Sequence, residues 1–369
     1  MEKRKRPLEE PSSFEVDEVL RTEAERAKAA KEIQEEKEYQ KRVEKEKVPI
    51  HGDLRVNKKA DGSHRFCSIN INGLRFWLHR NFKAERLRFM LKVHRVDGLG
   101  LQEACINWSA FNKTSKTLAS LLRQGTENIR SVHSHNTLPG ETENIGYNQR
   151  GGTATLLKGE LASYVIDSGQ DYTKLGRWSW YRVEGEPGCR TRIVTAYAPT
   201  GSEASEDASY WKQSQRYIKK EGLKTNPKKM FREDLCKALT NWREAGDRIV
   251  LMIDANENVT DHILARMLAK IGLREAVHMR TNGPGPKTHV RGSESIDGIY
   301  VTPEIEVWGA SYLPFNKDLG DHRPVMIDVS IASILGRNLP KIVPPRARRL
   351  SAKTPRIREE YIKLLEKYI

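Results

Sequence analysis

The chain has 369 residues, 37% of them hydrophobic, and a formal net charge of +15. A chain of this size can bury a substantial core, and its positive charge favours a polyanionic partner because Lys and Arg release counterions from phosphate backbones. Its four cysteines have no CxxC spacing and no run approaches about eighteen apolar residues, so we expect an intracellular protein without a disulfide framework, structural zinc or membrane contact.

Residues 1–49 form a charged N-terminal arm. Residues 1–48 include thirteen basic and fourteen acidic side chains, and the sparse apolar positions keep no sustained heptad. This pattern predicts a solvated helix or a disordered arm without chemistry of its own. The basic cluster Lys3–Arg6 is a candidate nuclear address, on which we expect a nuclear location.

Residues 50–335 alternate β-rich runs with helical patterns and predict a single globular domain. Several predicted strands are neighbours along the chain, which favours a four-layer α/β sandwich of two packed mixed β-sheets flanked by helices over a doubly wound repeat. The predicted strands are Arg65–Ile71, Gly98–Glu103, Thr153–Leu157, Trp178–Val183, Arg190–Ala198, Arg248–Ile253, Ser295–Val301 and Val325–Val329. The predicted helices are Glu85–His94, Lys116–Gln124, Asp207–Lys220, Lys228–Glu244 and Asp261–Ile271.

Residues 336–369 form a basic, proline-containing tail. After Gly336 it holds ten Lys or Arg and three acidic residues, and it ends in a short amphipathic segment, Ile357–Ile369. This composition is consistent with a non-specific nucleic-acid contact, a partner-docking helix or the beginning of another domain.

Polar side chains follow several of the predicted strands in the globular domain. Asn70 and Asn72 come just before a glycine turn, and Glu103, a hard oxygen donor suited to magnesium, ends the next strand. Asp254 and Asn256 end a fully apolar strand, with both side chains on one face by the period-two rule. Strand ends are where loops place catalytic groups on a rigid scaffold.

A carboxylate and a histidine complete this set. Asp297 lies in a β-rich run, where an unpaired carboxylate would be costly, and Asp321 and His322 precede another strand. A histidine oriented by a carboxylate is a poised acid or base. Each residue alone is as consistent with a cap, a turn or a core hydrogen bond, but together they supply the parts that hydrolyse a phosphodiester.

The ordered motifs resemble the endonuclease/exonuclease/phosphatase (DNase I-like) superfamily, over roughly residues 64–330. The resemblance implies the four-layer fold and a metal-dependent endonuclease that cuts DNA. The segments that carry it are Cys67–Arg75, Leu101–Glu103, Arg150–Ala154, Thr195–Pro199, Ile253–Asn256, Ser295–Asp297 and Gly320–Val325. Three runs are more similar to those of retrotransposon-type endonucleases than to those of repair enzymes, which implies the endonuclease portion of a retrotransposon-like element. They are Arg150–Ala154, the Asp-x-Asn-Glu run and the Asp-His-Arg-Pro-Val ending.

The resemblance also implies a metal site. Glu103 would be the principal ligand, and Asn70 and Asp321 would lie close to the ion or its waters. The expected ion is Mg²⁺, with Mn²⁺ as an alternative, because it must neutralise an anionic phosphodiester before water can approach.

The remaining catalytic roles are implied in the same way. Asp254 would position and deprotonate the attacking water. Asn256 and His322 would donate hydrogen bonds to the charged phosphorane. Asp297 would orient His322, and Tyr197 would contact the scissile phosphate.

Substrate contacts are expected from Asn72, Arg177, Arg192 and Thr200. Two departures from the superfamily pattern concern this region. Thr200 stands where the apurinic enzymes have Asn, which removes an amide donor and weakens an abasic-site assignment. Gly320 stands where Ser usually precedes Asp-His, which removes a neighbouring hydroxyl.

The expected substrate is DNA, with RNA left open, and we expect a monomer. One alternative is a phosphoesterase of the same fold acting on phosphoinositides or other small phosphate esters. Another is an inactive nucleic-acid-binding module. His133 and His135 are interpreted as surface or turn residues. His289 precedes the Asp297 strand and is interpreted either as a loop residue or as one that approaches the substrate. The segment Gly201–Asn226 is interpreted as a specificity element beside the phosphate site.

Overall fold

The computed structural model describes residues 50–75, 81–111, 116–125, 127–141, 145–337 and 355–368. The predicted arm, its candidate nuclear address and residues 338–354 of the tail lie outside them. Contacts divide the chain into two units, one that ends at Arg337 and one that begins at Asn338. Within the described residues, no helix combines the length and apolar character that crossing a membrane requires.

In the part of the chain that the structure describes, thirteen strands form two sheets. In chain order they are β1 (His51–Gly52), β2 (Ser63–Asn70), β3 (Gly98–Gln102), β4 (Ile129–Ser134), β5 (Thr153–Lys158), β6 (Val165–Gln170), β7 (Trp178–Glu184), β8 (Arg190–Tyr197), β9 (Arg248–Asp254), β10 (Arg274–Glu275), β11 (Asp297–Val301), β12 (Val307–Tyr312) and β13 (Val325–Ser330). The described helices are α1 (Phe82–Val93), α2 (Leu118–Leu122), α3 (Tyr210–Lys220), α4 (Pro227–Glu244), α5 (Ile263–Lys270), α6 (Ala276–Thr281), α7 (Ile331–Leu335) and, in the second unit, α8 (Pro355–Tyr368).

Both sheets are mixed. The seven-stranded sheet has the order β1-β12-β13-β2-β3-β5-β4, and the six-stranded sheet has the order β10-β11-β9-β8-β7-β6. Each contains one parallel pair, β2 with β3 and β8 with β9. These two pairs contact each other across the interface between the sheets. The predicted sandwich of two packed mixed sheets is therefore confirmed.

Small and hydroxylated side chains let the two sheets approach closely. Thr155 on β5 donates a 2.8 Å hydrogen bond to Thr195 on β8. A Cβ atom added at Gly100 on β3 would lie 2.8 Å from the hydroxyl of Thr195, so this position leaves no room for a side chain. Close packing here holds the ends of the central strands of both sheets in one rigid frame.

Helices cover the outer faces of the sheets. One apolar cluster joins β2 and β3 to α1 and α2, and a second joins β8 and β9 to α4 and α5. Helix α4 begins where it does because Asn226 accepts a hydrogen bond from the backbone of Lys229 and Pro227 occupies the first turn. Helix α1 begins at a similar cap, in which Asn81 accepts from Ala84.

The predicted strands and helices all occur, with ends that shift by a few residues. Strands β4, β6 and β12 are absent from the set of predicted strands. β6 is an edge strand whose residues are mostly exposed, and Gly309 interrupts the apolar pattern of β12, so neither shows a clean two-residue alternation. Strands β1 and β10 have only two residues each, too few to form a pattern.

Candidate active site

The predicted catalytic residues meet at one edge of the sandwich. Asp254 ends β9, and the antiparallel register places it directly opposite Asp297, the first residue of β11. Asn70 ends β2 in the other sheet, and Glu103 follows β3. Because the parallel pairs of the two sheets are stacked, these four strand ends come together.

A buried histidine lies between the two aspartates. Nδ1 of His322 is 2.8 Å from Oδ2 of Asp297 and 4.0 Å from Oδ2 of Asp254. Burial lowers the pKa of His322, but the charges of Asp297 and Asp254 outweigh it and raise the pKa to about 10. The ring therefore carries a positive charge at neutral pH and donates to Asp297.

Asp254 is fully buried. Its Oδ2 accepts a 2.8 Å hydrogen bond from Nδ2 of Asn70, and its Oδ1 accepts from the backbone of Asn256 at 3.0 Å. Burial and the negative charge of Asp297 raise the pKa of Asp254 to about 7, against the lowering effect of His322. A carboxylate with a raised pKa is a stronger proton acceptor than one in water.

Asn70 connects this carboxylate to the other sheet. Its Nδ2 also lies 3.2 Å from Oε2 of Glu103, and its Oδ1 accepts from the backbone of Asn72. Glu103 further accepts a hydrogen bond from the hydroxyl of Tyr197, whose pKa is raised well above its usual value, mainly by burial. The ring of Tyr197 stacks on Tyr210 of α3 at 5.4 Å, so the predicted segment Gly201–Asn226 does pack beside the site.

Three of these residues have left-handed backbone conformations. The φ angles are 44° at Asn72, 50° at Glu103 and 48° at Asn256. Such conformations are unfavourable for side-chain-bearing residues and cluster at functional sites, where surrounding contacts maintain them. At Asn256 one such contact is a 2.8 Å hydrogen bond from Nδ2 to the carbonyl of Ala198.

Asp321 lies at the open side of the cluster, and its two oxygen atoms differ. Oδ2 is 3.2 Å from Nδ2 of Asn72 and 3.4 Å from Nε2 of His289. Oδ1 is buried but accepts no hydrogen bond from another described residue. Burial raises the pKa of Asp321, but the charge of His322 and the hydrogen bond from Asn72 hold it below its usual value.

The cluster fits a divalent cation. A buried carboxylate oxygen that accepts no hydrogen bond from another described residue, as in Asp321, is unfavourable unless a positive charge lies nearby. Carboxylate and amide oxygens are the ligands that Mg²⁺ and Mn²⁺ prefer, and Glu103, Asn70 and Asp321 supply them.

Two residues of the site were missed by sequence reasoning. His289 was interpreted as a loop residue, but its ring lies 4.9 Å from that of His322, and the two residues form an antiparallel bridge. Lys83, on α1, donates to the carbonyls of Ile71 (2.5 Å) and Asn72 (3.0 Å). Burial lowers the pKa of Lys83, partly opposed by the charge of Asp321. Nothing in the sequence distinguishes Lys83, in the first turn of a helix, from a surface lysine. His289 did have a sequence signal, because it directly follows a threonine that precedes the Asp297 strand.

The two arginines expected to contact substrate are instead part of the core. Arg177 is fully buried and donates to Asp171 and Asp234. Arg192 donates to the buried Asp247 at 2.7 Å. These guanidinium groups are neutralised inside the fold, which corrects their predicted role as phosphate contacts.

Thr200 and Gly320, the two departures from the superfamily pattern, differ in their surroundings. Thr200 is exposed just beyond β8. At Gly320 an added Cβ atom would lie 3.0 Å from the carbonyl oxygen of Asn70, so the backbone of β2 leaves little space for a serine there.

Comparison with solved structures identifies the fold. The catalytic domain of human Nocturnin, solved with a bound sulfate anion, matches with a TM-score of 0.51 and 16% identity over 73% of this chain and 93% of that one. The 3′ phosphatase NExo from Neisseria, solved with a product DNA hairpin, matches with a TM-score of 0.51 and 15% identity over 72% of this chain and 99% of that one. The chain has the endonuclease/exonuclease/phosphatase (DNase I-like) fold.

Sequence comparison does not detect this relationship. No protein-family model matches the chain, and no curated protein does. In the endonuclease/exonuclease/phosphatase fold of this chain, the site described above lies at the carboxyl ends of β2, β3 and β9 and the amino end of β11.

Proposed function

We propose that this protein is a divalent-cation-dependent phosphodiesterase that cuts DNA. One observation carries the proposal. Buried Asp254, Asp297 and His322 are held against one another within hydrogen-bonding or ion-pairing distance, and Asn70 donates from Nδ2 to both Asp254 and Glu103. Such a group of buried charges is costly to the fold and is typical of catalytic centres rather than of structural cores.

The geometry supports a role for each buried charge. Asp254 accepts the proton of the attacking water, since its raised pKa makes it a stronger base while Asn70 and Asn256 hold it in one orientation. His322 is charged and fixed by Asp297, so it stabilises the negative charge that develops on the phosphate oxygens.

Glu103, Asn70 and Asp321 would hold the cation. When bound there, Mg²⁺ or Mn²⁺ would neutralise the phosphodiester and polarise it toward attack. Tyr197 donates the single hydrogen of its hydroxyl to Glu103 and remains protonated, so it restrains that carboxylate, and it can donate to a phosphate only in place of Glu103.

The net charge and one similar structure support a DNA substrate. The net charge of +15 favours a long polyanion over a small phosphate ester. Among the similar structures, that of NExo contains a product DNA hairpin. From the sequence motifs we further propose an endonuclease of a retrotransposon-like element. Genomic copies that never lie beside a polymerase-like reading frame would contradict this origin.

A substrate panel tests the proposed activity. Purified protein would be incubated with supercoiled plasmid, with single-stranded RNA and with vesicles of phosphorylated inositol lipid, each with Mg²⁺, Mn²⁺ or EDTA. We expect nicked plasmid only when a cation is present. Phosphate release from the vesicles without nicking would favour the small phosphate esters, and DNA binding without cleavage of any substrate would favour the inactive module.

A further inference from the structure

His289 lies on a segment that connects two parts of the site. The preceding residue, Thr288, is fully buried, and its hydroxyl accepts hydrogen bonds from the backbone of Ile296 (2.9 Å) and Asp297 (3.2 Å). On the other side, the backbone of Val290 donates to the carbonyl of Asp321 at 3.0 Å. The backbone of His289 is therefore fixed relative to both Asp297 and Asp321.

The hydrogen bonding of the ring defines what His289 can do. Its Nδ1 accepts the backbone N–H of Arg291 at 3.3 Å. The neutral ring therefore carries its proton on Nε2, the atom that lies 3.4 Å from Oδ2 of Asp321. A protonated nitrogen cannot ligate a metal ion, so His289 is not a ligand in this tautomer, and its Nε2 lies at ion-pairing distance from Asp321.

The contact leaves one oxygen of Asp321 available. Both donors near this carboxylate, Asn72 and His289, approach Oδ2, whereas Oδ1 accepts from no other described residue. A carboxylate held through one oxygen presents the other in a fixed direction. A hydroxyl from position 320 cannot be accommodated without displacing the backbone of Asn70.

We propose that His289 is a positioning residue that donates to Asp321 and orients its free oxygen toward the cation. The inference rests on the proposed function, because it assumes that Asp321 contributes to a cation site. It adds a residue outside the motifs that carry the family resemblance.

Cation binding tests this role without relying on catalysis. Mn²⁺ affinity would be measured by calorimetry for the full chain and for His289→Ala and His289→Gln, with His278→Ala as a control at an exposed histidine on α6. Loss of a partner of a metal ligand typically weakens binding about 10- to 100-fold. We expect that loss in His289→Ala, recovery in His289→Gln, which keeps an N–H donor, and no change in His278→Ala.

Electron paramagnetic resonance of bound Mn²⁺ separates positioning from direct ligation. We expect the same nitrogen coupling in the wild type and in His289→Gln. Loss of a nitrogen coupling in His289→Gln would show direct ligation and overturn the proposal, as would unchanged Mn²⁺ affinity in His289→Ala. Wild-type protein that binds Mn²⁺ but cuts no phosphodiester would contradict the proposed function alone, since the affinities would still decide the role of His289.

Discussion

At the residue scale, buried charges in this protein serve two purposes. Arg177 is enclosed by Asp171 and Asp234, and its guanidinium also lies 4.6 Å from the ring centre of Trp178. Each of the three guanidinium nitrogens of Arg177 donates to one of these two carboxylates. The charges around His322 differ, because Asp254 lies 4.0 Å from Nδ1 of His322, beyond hydrogen-bonding distance, and burial raises the pKa of Asp254 to about 7.

Replacing Arg177 tests the structural role of the first group. Arg177→Ala leaves Asp171 buried without its partner, and breaking a buried pair typically costs about 3–5 kcal/mol. We expect the free energy of unfolding in urea to fall by that amount. The control is Arg216→Ala, since Arg216 pairs with Glu141 at the surface and such pairs contribute about 1 kcal/mol or less. Weakened DNA affinity with unchanged stability would restore Arg177 as a phosphate contact.

The sequence allowed the site to be predicted wherever a polar residue ended an apolar strand. Asp254 follows a run of buried aliphatic residues, and Glu103 follows a short one, so strand geometry alone brings them to one edge. The sequence could not show which arginine side chains are buried, because Arg177 and Arg192 have the same local pattern as surface residues. The sequence placed His289 just before the Asp297 strand, but its contact with Asp321 could not be predicted, since that contact depends on how a loop crosses the sheet.

At the element scale, Glu275 joins α6 to β11. It caps α6 by accepting the backbone N–H of His278 at 2.6 Å, and its other oxygen lies 3.4 Å from the backbone nitrogen of Ile299. Burial raises the pKa of Glu275 to about 7, against the lowering effect of these hydrogen bonds. No signal in the sequence predicts this, because α6 has only six residues and β10 only two.

Glu275 makes stability depend on pH in a defined direction. Its pKa is higher in the folded state than the ordinary value of 4.5, so the folded state binds the proton more tightly. The stabilisation is complete below pH 4.5 and is lost as pH rises through 7. We expect the free energy of unfolding of the wild type to decrease over this window relative to that of Glu275→Gln, which cannot titrate. Parallel curves for the two proteins in urea unfolding would contradict the assignment.

At the scale of the whole molecule, positive charge extends beyond the first unit, which ends at Arg337. The ten basic residues after Gly336 exceed the three acidic ones, and the second unit contains a described helix, α8, whose characterised side chains are exposed. We propose that this unit adds non-specific phosphate contacts.

Removing residues 338–369 tests that contribution. Each lost phosphate contact reduces the slope of log affinity against log salt by about 0.9 for duplex DNA. We expect a shallower slope and weaker plasmid binding at low salt, measured by fluorescence anisotropy. Hydrolysis of a small diester such as bis(p-nitrophenyl) phosphate should not change. An unchanged salt slope would show that the tail makes no phosphate contacts.

Plasmid nicking with Mg²⁺ decides whether the buried group around His322 is a nuclease centre. The rate would be measured for the wild type and for Asp254→Asn, with Asp261→Asn as a control, since Asp261 is an exposed carboxylate paired with Arg266. We expect Asp254→Asn to lose about a hundredfold or more of the rate while its plasmid affinity is unchanged, and Asp261→Asn to nick like the wild type. Equal nicking by the wild type and Asp254→Asn would contradict the account.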